Sequence, residues 1–88
     1  MRDTDYATEQ VTASVRFDAE NEGRIERIFV KETQQEEIRF SWWKGGNIVP
    51  RPLDLSEADL LELMREAMVA GVFTPQFRAE LRRLLPEK

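Results

Sequence analysis

The sequence predicts an α+β domain: a four-stranded antiparallel β-meander, then a long helix and a short C-terminal helix, ββββαα. Two observations predict it. Up to about residue 55, apolar and polar residues alternate with a period of two, broken by turn-forming clusters. After Ser56 the period lengthens to that of a helix, with capping residues at both ends.

Residues 1–9 are polar and are expected to form a flexible arm, leaving residues 10–88 as a single domain. In "VTASVRFD", Val11, Ala13, Val15 and Phe17 share one face, and Thr12, Ser14, Arg16 and Asp18 the other. That pattern predicts a half-buried strand. "AENEG" is expected as a loop whose glycine supplies a positive φ. "RIERIFVKE" is rich in β-formers, with Ile28 and Val30 on one face and Ile25 and Phe29 on the other. Either both faces of this strand are partly covered or a bulge shifts its phase.

"TQQE" is expected as a turn. The next strand places Ile38, Phe40 and Trp42 against Arg39, Ser41 and Trp43. "KGGN" fits a tight hairpin, because glycines accept positive φ. "IVPRPLDL" predicts a fourth strand, at an edge or only partly paired, since Pro50 and Pro52 have no N–H.

Ser56 is the expected N-cap of the long helix, with Asp59 three residues on. Leu60, Leu61, Leu63, Met64, Ala67 and Met68 form a wide apolar stripe. Gly71 suits the C′ position, with Val72 and Phe73 after it. Thr74 and Pro75 then open a short helix whose stripe is Phe77, Leu81, Leu84 and Leu85.

Composition narrows the chemistry. The chain has 88 residues, enough for one modest core. It contains no Cys and no His, which removes disulfides, thiolate zinc sites, the commonest general base and the usual transition-metal ligand. Ser14, Ser41 and Ser56 therefore have no His to activate them, and no phosphate-binding glycine loop precedes a helix. No catalytic residue, metal or cofactor is expected. No apolar run reaches membrane-spanning length, and the first ten residues have no signal-peptide core, so a cytoplasmic location is expected.

The net charge of −4 is unevenly spread. Residues 38–53 hold Arg39, Lys44 and Arg51 and no acid, a basic island in an acidic chain. Trp42 continues the Ile38–Phe40 face and is expected in the core. Trp43 stands on the opposite face with Arg39 and Ser41. Arg39, Ser41, Trp43, Lys44 and Arg51 are therefore the candidate contacts, for nucleic-acid bases stacked on the indole or for a protein partner. A third reading has Trp43 covered by another part of the chain. Leu60, Leu63, Met64, Ala67 and Met68 are the candidate dimer interface, or else they cap the sheet.

The strand containing Ile38, Arg39 and Trp42, together with "LDLSEADLLEL", resembles the positive-cofactor-four family of transcriptional coactivators. In that resemblance Leu53 and Leu55 match the apolar end of the last strand, and Leu60 and Leu63 match positions of the dimer helix. It implies a dimer that binds single-stranded DNA in transcription regulation. The chain departs from the family at Pro50, Arg51 and Pro52, where the family has Lys-Lys-Gly, and in its acidic N-terminal segment.

The sequence thus leads to a small non-catalytic binding module that docks a macromolecule as a homodimer. One alternative is a single-stranded-DNA-binding coactivator. The other is an acidic inhibitor or adaptor that offers Glu57, Asp59, Glu62 and Glu66 to a basic protein.

Overall fold

The computed structural model describes residues 3–86, so Met1 and Arg2 of the expected arm and Glu87 and Lys88 of the expected domain lie outside the described residues. The chain divides into two compact units, residues 1–58 and 59–88, where a single domain over 10–88 was expected.

The first unit is an antiparallel meander. Strand β1 spans Ala7–Arg16, β2 Asn21–Val30 and β3 Gln35–Lys44. The fourth strand is split into β4, Asn47–Ile48, and β5, Leu53–Leu55, and both pieces pair with β3. The prolines explain the split. Neither can donate to the ladder, and Arg51 between them takes a left-handed φ of 67°, so the chain bows away from β3 and returns. Gly45 and Gly46, at φ 58° and 82°, close the β3–β4 hairpin as its sequence predicts.

Two expectations near the N-terminus are corrected. The strand begins at Ala7, which is buried, so residues 7–9 belong to the sheet rather than to an arm. Thr4 holds its start: the Thr4 hydroxyl accepts from the Ala7 N–H at 3.0 Å. Gly23 is not the loop residue expected to carry a positive φ. It lies inside β2, and the Asp18 carboxylate makes the turn by accepting from the N–H groups of Glu20 and Asn21, both at 2.8 Å.

The register shifts between Glu9 and Val11, a bulge that swaps the faces of β1. Before it, Ala7 shares a face with Ile28 and Val30, and these three form the buried apolar core. After it, Val11, Ala13 and Val15 point the other way. Of the two possibilities raised for residues 24–32, partial cover on both faces is the one seen: Glu26, Ile28 and Val30 are buried on one face, Arg27 and Phe29 half-buried on the other, and the register of β2 with β3 is unbroken, the bulge lying in β1 instead.

The second unit is helical. Helix α1, Glu57–Ala70, starts directly after Ser56, and its first two residues, Glu57 and Ala58, belong to the first unit. It ends at Gly71 (φ 76°), where the N–H groups of Gly71 and Val72 bond the carbonyls of Met68 and Ala67, a Schellman motif. Helix α2, Pro75–Arg83, is capped by the Thr74 hydroxyl, which accepts from the Phe77 N–H at 3.1 Å. The rings of Phe73 and Phe77 lie 5.0 Å apart across its first turn.

Candidate docking surface

The pairing assigns every strand residue to a face. On one face, three rows run across the sheet: Val15–Gly23–Trp42, then Ala13–Ile25–Phe40–Leu53, then Val11–Arg27–Ile38–Leu55. Apart from Arg27, every side chain in them is apolar. Arg27 is tied at the margin to Glu36 at 2.9 Å and Glu57 at 3.0 Å.

This face is open. Val11, Val15, Phe17, Ile25, Trp42 and Leu53 are all exposed. Trp42, expected in the core, is 52% exposed, and its indole N–H donates to Asn21 Oδ1 at 2.9 Å. The local cause is Gly23, the residue paired with Trp42, which offers no side chain to lean on. The Phe17 ring occupies that space instead; a Cβ on Gly23 would stand 2.7 Å from it. Between Phe17 and Val15 on one side and Val49–Leu53 on the other lies a groove of about 630 Å³, within the range of ligand and peptide sites. Among the described residues, no acidic one lines it. Arg51 stands on its wall and Lys44 follows Trp42 and Trp43 on β3; both are exposed, and neither side chain has an ion pair among the described residues.

The opposite face is closed: it carries the buried Ala7, Ile28 and Val30 and, beside them, a polar network. Its central row is Thr12–Glu26–Arg39–Asp54. Glu26 is 1% exposed and Arg39 8%. Arg39 grips Asp54 with two parallel bonds, Nε to Oδ1 at 2.8 Å and a terminal nitrogen to Oδ2 at 2.9 Å. These bonds hold the guanidinium pKa above its ordinary value. The Thr12 hydroxyl lies 2.7 Å from Glu9 and 3.0 Å from Glu26, and its one hydrogen serves one carboxylate at a time. Ser41, also buried, accepts from the Trp43 indole N–H at 3.0 Å. The Arg24 guanidinium lies 3.8 Å over the Trp43 ring and pairs with Glu22 at 2.8 Å. Burial, then Asp54 and Glu37, push the Tyr6 phenol up.

The five candidate contacts therefore separate. Arg39 and Ser41 are buried, and Trp43 is half-buried under Arg24. Lys44 and Arg51 stay open, on the side of the apolar groove rather than on a basic polar face. Of the candidate helix residues, Leu63 is exposed, and Leu60, Met64, Ala67 and Met68 are half-buried. Leu61 and Val69 are more exposed still. Val15, Phe17, Ile25, Trp42 and Leu53 were not expected as contacts. Their shared face was legible in the alternation; that nothing in the first unit covers it was not.

Among the described residues, no cluster of three or more acidic side chains is placed to hold a metal ion, and no helix is long and apolar enough to cross a membrane. No family model, no curated protein and no solved structure matches this chain.

Proposed function

We propose that this chain is a non-catalytic binding module that works as a homodimer, docking through the apolar face of its sheet. The observation that carries the reading is the open row Ala13–Ile25–Phe40–Leu53, flanked by exposed Trp42, Val15 and Phe17. Side chains of this size each gain about 1.5–3 kcal/mol when fully taken out of water. Contiguous apolar surface rimmed by polar residues is how an interaction site looks. An exposed indole beside that row suits the role of an anchor.

Sedimentation equilibrium tests this with wild type and Trp42→Ser. Wild type is expected as a dimer at micromolar concentration and Trp42→Ser as a folded monomer. A wild type that stays monomeric up to hundreds of micromolar would remove the reading.

The single-stranded-DNA reading, which the family resemblance carries, draws less support. Trp43 already stacks with Arg24, and Arg39 is already paired with Asp54, so the bases and phosphates would have to displace both.

A further inference from the structure

We infer that the groove is filled by helix α1 of a second copy of this chain. The inference rests on the docking reading above and names what docks. The groove is apolar and, among the described residues, holds no acid and carries the cation Arg51 without an ion pair, with Lys44 nearby. Its complement is an amphipathic segment with acids beside its apolar stripe. Helix α1 has that chemistry. Leu60, Leu63, Met64 and Ala67 recur at helical spacing, and Glu57, Asp59, Glu62 and Glu66 outnumber the single base Arg65. Asp59 lies four residues before Leu63 and Glu66 three after it, so both acids flank the most exposed leucine of that stripe.

The dimensions agree. Fourteen residues of helix run about 21 Å, with a width of about 10 Å. Four strands at about 4.8 Å spacing present about 14 Å of face. One helix laid along the groove therefore covers most of the open rows. In a two-fold dimer each copy gives one groove and one helix, so the contact is made twice and the assembly closes. Two sheet faces packed directly on each other would instead bring two Arg51 side chains into one apolar layer with no acid to meet them.

The test is a charge exchange between copies. Arg51→Glu alters only the groove, and Glu66→Lys only the helix; both positions are exposed. Each variant alone is expected to weaken dimerisation at least tenfold, measured by sedimentation equilibrium at low salt. An equimolar mixture is expected to recover it, because an acidic groove then meets a basic helix and the unaltered groove meets the unaltered helix. Glu32→Lys, on the exposed β2–β3 turn, is the control. It should leave dimerisation intact and should not rescue Arg51→Glu. Circular dichroism confirms that each variant is folded.

A dimer broken by Trp42→Ser but indifferent to both charge reversals, or a mixture that fails to recover, overturns the helix as occupant while the docking face stands. A monomeric wild type overturns both.

Discussion

The two faces of this sheet treat burial in opposite ways. The face that carries the buried charges, together with the small Ala7–Ile28–Val30 core, is closed, and the face with the larger set of apolar side chains is open. On the polar face the central groups have found partners: Arg39 with Asp54, Trp43 with Arg24 and Glu26 with Thr12 across the strands, and Trp43 with Ser41 along β3. Long side chains lie flat over their neighbours and shield them, and Glu26 is only 1% exposed. Apolar side chains make no such bonds and gain only from contact. Once paired into a sheet they stand roughly perpendicular to it and stay wet until another surface arrives. The difference teaches that one face stabilises the monomer, while the other is available to be covered.

Substitutions on the two faces should therefore separate stability from association. The largest effect is expected from Arg39→Ala, which strands the Asp54 carboxylate in a half-buried site beside Glu26; breaking a buried pair in this way costs about 3–5 kcal/mol. Urea denaturation measures it, and a loss below about 1 kcal/mol would mean the polar face is not what holds the fold. Trp42→Ser is the mirror case. Stability of the monomer should change by less than about 1 kcal/mol, as for exposed positions, while the dimer constant worsens more than tenfold.

Arg24→Ala removes the cation from over Trp43 and should cost about 1 kcal/mol. It should also raise acrylamide quenching of the indole emission, and unchanged quenching would place the cover on Trp43 elsewhere. Gly23→Ala acts on the open face through sterics. Its Cβ displaces the Phe17 ring, which is itself exposed and can swing away, so the stability loss should stay near 1 kcal/mol or below. Association should weaken all the same, because the groove loses that wall.

The smallest effect concerns acid. The Asn21 side-chain amide, with the backbone N–H groups of Glu20 and Asn21, holds the Asp18 carboxyl below its usual range. A depressed folded-state pKa means the contribution is present above the unfolded value, near 3.9, and is lost as pH falls through the lower folded value. Amide exchange at Asn21 should therefore quicken only below about pH 4, with little change in the rest of the sheet. Acid loosening of the whole sheet at that pH would mean that the change is not confined to the Asp18 turn.

The order of elements was legible in the sequence because each rests on local chemistry. Period-two alternation made strands of residues 11–16 and 38–43, and Gly45–Gly46 supplied the positive φ of the hairpin. Thr74 and Gly71 marked helix ends through caps made within a few residues of them, and α1 begins directly after Ser56. The prolines announced a weak fourth strand, though the left-handed Arg51 at its break is a matter of how the chain rejoins β3.

Alternation also sorted Trp42 from Trp43 correctly by face, and there its reach ended. Which face becomes the inside depends on what lies above each one, and that is a contact between residues far apart in the chain. Arg39 meets Asp54 fifteen positions away, and the Phe17 ring, not a β2 side chain, stands beside Trp42 over Gly23. The bulge at residue 10 turned Ala7 toward Ile28 and Val30, against the phase of the rest of β1. Sequence by itself determined the strands, helices, turns and the two faces, because hydrogen-bond geometry and φ preferences act locally. Only the tertiary structure decided that the charged face is closed and the apolar face open, because burial is a property of neighbours and not of pattern.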